Sequence, residues 1–211
     1  MTDQIKRLIE NLEKRQIGAY YAENKNEAVC VVNSLICEMG KTLGKSENDI
    51  KVSWGGSVTL DEVGLRAMCA KRYDALDPYS APDPAEAKRE ALLSDVFLMS
   101  ANALTENGEI VNIDGNGNRL GALIYGPRSV IVVVGVNKIT KNMKEALARV
   151  KSIACPSNAK RLLRDTPCAK TGKCGDCMIG GATICSHTVT TRFSAIPFRI
   201  KVVIVNESLG Y

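Results

Sequence analysis

The run SVIVVV, Ser129–Val134, admits few folds. It is apolar without alternation, so a strand made from it must be covered on both faces. Such strands lie inside sheets flanked by helices, and the chain has to supply helices for each side. Ile5, Leu8, Ile9 and Leu12 repeat at helical spacing in the first segment. Ala28, Val31, Val32, Leu35, Ile36 and Met39 line one face of a second helix. Asn24 and Glu27, at capping-box spacing, open it, and Gly40 or Gly44 closes it. Cys30 and Cys37 on this helix, and Cys69 on the next, are expected as small core residues.

Strands are expected at Ala19–Ala22, Lys51–Trp54, Tyr73–Leu76, Asp95–Ser100 and Arg199–Val205. Glu109–Ile113 and Arg119–Tyr125 are expected to form a β-hairpin through Gly115, Asn116 and Gly117, because Asn-Gly favours hairpin turns. Thr59 with Glu62, Pro84, Thr140, and Pro156 with Ser157 mark the starts of further helices. The sum is an α/β, three-layer fold with a mixed, mostly parallel sheet, one β-hairpin and a C-terminal Cys-rich loop. Residues 1–211 are read as a single domain, with an N-terminal helical region over 1–45 and a metal-binding segment over 168–185.

That segment, CAKTGKCGDCMIGGATIC, holds Cys168, Cys174, Cys177 and Cys185, half of the chain's 8 cysteines. The spacing is C-x5-C-x2-C-x7-C, and Gly172, Gly175, Gly180 and Gly181 let the backbone bend around a shared centre. Lys170 and Lys173 would favour the thiolate form that binds metal. Zinc sites commonly pair two C-x2-C knuckles, and only one is present, so the expected centre is a [4Fe–4S] cluster, with zinc as the alternative. A flexible thiol loop and a Cys174–Cys177 redox pair are the remaining readings. His187 could stand in for a cysteine ligand, although a hydrogen-bonded or exposed histidine is the plainer expectation.

Net charge is +5, with both signs interspersed, so no basic stripe argues for nucleic acid. No apolar run reaches membrane-spanning length, and the amphipathic first segment is not a signal peptide. A cytoplasmic location follows, where clustered thiols more often serve metal or redox chemistry than disulfides.

Ligands of open α/β sheets bind beyond the carboxyl ends of the strands. Gly55, Gly56 and Ser57 follow one strand, and Asn137 and Lys138 follow the SVIVVV strand. Thr105, Glu106 and Asn107 lie beyond a third, and Asp114, Asn118 and Arg119 lie on or beside the expected hairpin loop. Backbone N–H groups and the Ser57 hydroxyl at the glycine turn could bind an anion. Lys138 and Arg119 supply cations, and Glu106, Asp114 and Lys138 are the candidate catalytic groups. A small anionic metabolite, phosphorylated or carboxylated, is the expected ligand of this set. There is no serine–histidine machinery.

These loops carry a resemblance to the LUD-domain family, the lactate-utilisation proteins. The matching pieces are GGSVTLDEVG (Gly55–Gly64), ALTENGEIVNIDGNGNR (Ala103–Arg119), YGP (Tyr125–Pro127), VVGVNKI (Val133–Ile139) and the terminal NESLGY. The resemblance implies a fold similar to the glucosamine-6-phosphate deaminase, ribose-5-phosphate isomerase and CoA-transferase group, with small anionic substrates on those loops. Some relatives act with iron–sulfur partner proteins in oxidising lactate to pyruvate, and such partners, or a homo-oligomer, are the expected assemblies. Many LUD domains lack a four-cysteine segment, so the resemblance implies a subgroup with its own cluster and its own chemistry. The leading expectation is an iron–sulfur protein acting in or beside oxidation of a 2-hydroxy acid such as lactate. The alternatives are a non-redox isomerase, transferase or lyase with a structural zinc, and a non-enzymatic metabolite-binding subunit.

Overall fold

The computed structural model describes residues 1–211. The strands are β1 (Gly18–Ala22), β2 (Lys51–Trp54), β3 (Asp74–Leu76), β4 (Val96–Met99), β5 (Ala103–Thr105), β6 (Ile110–Asp114), β7 (Ser129–Gly135), β8 (Ile139–Thr140), β9 (His187–Thr191) and β10 (Ile200–Val205). The helices are α1 (Asp3–Lys14), α2 (Lys25–Leu43), α3 (Val58–Val63), α4 (Leu65–Arg72), α5 (Pro84–Glu90), α6 (Asn118–Ile124), α7 (Met143–Arg149), α8 (Cys155–Arg161) and α9 (Pro167–Thr171). Six strands make a wholly parallel sheet in the order β1-β10-β7-β4-β2-β3. The antiparallel pairing lies in a second, smaller sheet ordered β8-β5-β6-β9.

Strand β7 is interior, between β10 and β4, and every residue in it is buried. Its side chains alternate between two cores. Ile131 and Val133 join Val32, Leu35 and Ile36 of α2 and Leu60 and Leu65 of α3 and α4. Val130, Val132 and Val134 join Ile5, Leu8 and Leu12 of α1 and Leu123 of α6. Each fully buried Val or Ile contributes roughly 1.5–3 kcal/mol. One strand therefore supplies a large part of the drive to close both helical layers.

Several local expectations change. Residues 119–125 do not extend a hairpin: they lie on α6 and the residue that ends it. Leu120 and Leu123, three apart, are buried, while Ile124 and Tyr125 face solvent. The Leu and Ala there are strong helix formers, and the helical contact wins over the apparent alternation of Leu120, Ala122 and Ile124. The hairpin is instead β5–β6, turning through Glu106, Asn107 and Gly108, the last at φ +89°. The Asn116-Gly117 pair leads into α6.

Ser57, not Thr59, caps α3, accepting from the Leu60 N–H at 3.3 Å. Asn142, not Thr140, caps α7, accepting from the Glu145 N–H at 3.1 Å. Asn24 caps α2 as expected, accepting from the Glu27 N–H at 3.0 Å. Of the three helix cysteines only Cys69 is in the core: Cys30 is exposed and Cys37 half-buried. Between α7 and α8 the helix continues as a π-turn over Val150–Ala154, in which the Cys155 N–H reaches the Val150 carbonyl. Pro156 lacks the N–H that an α-turn would direct at Ser152 O, which accounts for the widening. No helix is long and apolar enough to cross a membrane.

Candidate functional site

The carboxyl ends of β2, β4 and β7 meet the last residues of the chain around one small, open cleft. Gly56, Ser57 and Thr59 line it from the β2 side, Ser100 and Asn102 from β4, and Lys138 from the turn after β7. Arg119 of α6, Asn158 and Arg161 of α8, and the terminal Gly210 and Tyr211 complete the wall. Three cationic side chains line this cleft and no acidic side chain does.

Lys138 is its deepest charged group, 3 % exposed. Its Nζ donates to Thr59 Oγ1 at 2.9 Å and to Ser100 Oγ at 3.0 Å. Both partners are neutral hydroxyls, so the charge is buried without a counter-ion. Burial, then the charges of Arg149 and Arg119, bring its pKa down to about 7, against a smaller opposing pull from Glu62. Arg149 is itself buried and donates to Asn137 O at 3.1 Å and Asn102 O at 2.6 Å, which fixes the loops on either side of the lysine.

Arg119 donates through Nε to Asp114 Oδ2 at 2.9 Å and through Nη2 to Ile113 O at 2.6 Å. These bonds lock the guanidinium at the cleft wall and leave Nη1 without a protein partner. Asp114 therefore stands behind the wall, as the residue that orients Arg119. Gly55 lies against the Arg119 stem, where a Cβ would come within 2.5 Å of Cγ.

Leu209, Gly210 and Tyr211 close over the lysine side of the cleft. Asn137 accepts from the Leu209 N–H at 3.0 Å and donates to Gly210 O at 3.2 Å, and the Gly210 N–H meets Glu62 Oε2 at 2.7 Å. Gly210, at φ +57°, passes so close that a Cβ would fall 2.6 Å from Thr59 Oγ1 and 3.3 Å from Lys138 Nζ. Only glycine fits there. The Tyr211 hydroxyl is shielded from solvent with no partner in good hydrogen-bond geometry, and the Arg161 guanidinium is its neighbouring cation.

Of the residues expected from the sequence, the structure brings Gly56, Ser57, Arg119 and Lys138 to the cleft wall, with Gly55, Asp114 and Asn137 directly behind it. Asn118 opens α6 beside Arg119 without lining the cleft. Thr105, Glu106 and Asn107 lie elsewhere. Thr105 bonds the Glu109 carboxylate, Glu106 accepts from Gln4 Nε2 at 2.8 Å, and Asn107 O accepts from Arg15 Nε at 2.6 Å. They tether α1. The glycine turn is not a free anion cradle: the Gly55 N–H goes to Leu98 O and the Gly56 N–H to the Tyr79 hydroxyl. Ser100, Asn102, Asn158, Arg161 and Tyr211 were not anticipated. Asn158 and Arg161 share one helix face, an i, i+3 signal present in the sequence.

A second group lies at the other end of α8. Cys168, Cys174, Cys177 and Cys185 surround one cavity together with Cys155, which the sequence reading left out. All are free thiols. Burial, then the neighbouring sulfurs, push Cys155 up to about 12 and raise Cys185. Lys170 does not favour thiolates here, because it pairs with Asp165 at 2.6 Å. Lys151, paired with Asp176 at 2.7 Å, is the cation at the cavity. As placed, no three His, Cys, Asp or Glu side chains stand in metal-binding geometry. The donors are nevertheless those of a thiophilic centre, and a bound cation would offset the burial and the sulfur repulsion that raise Cys155 and Cys185. His187 is exposed on β9 opposite Asp114, its ring edge against Gly117.

The fold defines a parallel-sheet α/β protein with a cationic cleft at the carboxyl ends of its strands. The chain matches the LUD domain family over residues 5–205 and belongs to that family. Among solved structures, a DUF162 family protein from Deinococcus radiodurans is similar at 13 % identity and a TM-score of 0.49, with 96 % of each chain covered. The eIF2B delta subunit from Chaetomium thermophilum aligns over 54 % of this chain and 50 % of its own, at 15 % identity and a TM-score of 0.29. No curated protein matches the chain.

Proposed function

We propose that this LUD-domain protein binds a small carboxylate metabolite of the 2-hydroxy acid class in the Lys138 cleft. It carries a metal centre on the cysteine segment and acts in or beside oxidation of that acid. The observation that carries the binding half is the buried Lys138, whose Nζ meets only hydroxyls, in a wall of three cationic side chains without an acidic one. An anionic ligand supplies the missing counter-charge. Arg119, held by Asp114, offers a fixed donor for a carboxylate oxygen, and Asn102 and Asn158 offer neutral polar groups for a hydroxyl. Titration with L-lactate tests this: Lys138→Ala is expected to weaken binding by ~1–3 kcal/mol, the scale of a hydrogen bond to a charged group. Unchanged affinity would make the lysine structural.

Cys168, Cys174, Cys177 and Cys185 would hold the centre, a [4Fe–4S] cluster in preference to zinc, with Cys155 a fifth thiol beside them. A [4Fe–4S] centre supplies one-electron transfer when bound. Helix α8 supports the coupling of the two halves: Cys155 begins it at the thiol cavity, and Asn158 and Arg161 line the cleft one to two turns on. The three cations also suit a phosphorylated metabolite handled without redox chemistry, with a structural zinc in the thiols. Iron and zinc content of protein purified without oxygen separates the two.

A further inference from the structure

The hydrogen bonds of Lys138 bear on more than charge. A neutral amine has two N–H donors and one lone pair. Here two donors are taken, by Thr59 Oγ1 and Ser100 Oγ. Each hydroxyl has a carbonyl for its own proton, Leu209 O and Ala101 O, both at 3.4 Å. Neither hydroxyl has to donate back to Nζ, so the lone pair has no protein partner, on a side chain that lines the cleft. The charged groups around Nζ are Arg149 on α7, Arg119 on α6 and Glu62 on α3, and Glu62 is engaged by the Gly210 N–H. Among these side chains the cations outnumber the single carboxylate. At about 7, its pKa leaves much of the amine neutral at ordinary pH. Burial and a neighbouring cation are the established ways of activating a lysine nucleophile.

Given that the cleft takes a small carboxylate, as proposed above, we infer that Lys138 is a nucleophile that condenses with the carbonyl of a short 2-oxo acid to form an imine. Such an acid is the oxidised partner of a 2-hydroxy acid and differs from it by one carbonyl. Arg119 holds the carboxylate, and the adjacent carbonyl carbon meets Nζ. The Nζ lone pair forms the N–C bond while the carbonyl π pair moves to oxygen. One amine proton passes to that oxygen. The second amine proton then leaves Nζ, the C–O bond breaks and water departs, leaving C=N. Both amine protons leave in the water, and no oxidant or reductant takes part. Gly210 and the terminal strap, packed over Nζ, limit the access of bulk water that would reverse the step.

The test is reductive trapping of the full-length protein with pyruvate and sodium borohydride, read by intact mass and peptide mapping. One adduct per chain, on Lys138, is the expected result, absent in Lys138→Arg. Because mapping is done on the wild-type chain, the outcome does not depend on that variant folding. Equal labelling of surface lysines, or no adduct at Lys138, would overturn the inference. Calorimetric titration with pyruvate alone separates the two claims: binding without an adduct removes the imine and leaves the cleft, whereas no binding removes both. Arg119→Ala, which keeps the amine, is expected to lower trapping at limiting pyruvate by about ten-fold or more, the loss of one charge-assisted contact.

Discussion

Lys138 and Arg119 both follow turn-forming residues, yet their environments differ in kind. Arg119 is matched by Asp114, whereas Lys138 meets only hydroxyls. An unmatched buried ammonium costs folding free energy, on the order of several kcal/mol for a pKa this far below 10.5. Its folded pKa is depressed, so the unfolded chain binds the extra proton between pH about 7 and 10.5. The cost is full below that window and fades as pH rises through it. Lys138→Met is therefore expected to be more stable than wild type at pH 7, by a margin that shrinks toward pH 10 in urea unfolding. A pH-independent margin would mean that the amine is not desolvated. The expectation of a cation at residue 138 came from its place after the SVIVVV strand. Its lack of a counter-ion depends on what the tail and α3 place around it, which no local pattern encodes.

At the scale of elements, short apolar runs located β4 and β7, because strands covered on both faces need not alternate. Ile131→Ala in β7 is expected to cost about 2–5 kcal/mol by denaturant unfolding, as for any fully buried large-to-small change. A loss under about 1 kcal/mol would contradict its interior position. Helix starts were harder to locate: Ser57 and Thr59 both suit a cap, and only the backbone decides between them. Ser57→Ala is expected to cost ~0.5–2 kcal/mol. Thr105–Asn107 misled for a physical reason. Hairpin turns and binding loops draw on the same polar residues, and here the turn reaches α1 rather than the cleft. Asn158, Arg161 and Cys155 escaped notice because a helix surface acquires its neighbours only through packing.

The whole molecule sets the cationic cleft and the thiol cavity along one short helix, α8. The family match, over residues 5–205, spans the thiol cavity and the cleft wall apart from Gly210 and Tyr211. If the thiols hold [4Fe–4S], protein purified without oxygen is expected to be brown, with iron and acid-labile sulfide in stoichiometric amounts. Cys168→Ser, Cys174→Ser, Cys177→Ser and Cys185→Ser are each expected to lose it, while a variant that keeps the cluster would mark a bystander. Stoichiometric zinc without iron would sink the iron–sulfur assignment. The cleft itself is tested most directly by calorimetric titration of wild type, Lys138→Ala and Arg119→Ala with L-lactate. Saturable binding by the wild type, weakened about ten-fold or more in each variant, is the expected result. No binding, or equal affinity in all three proteins, would show that the cationic cleft is not the site.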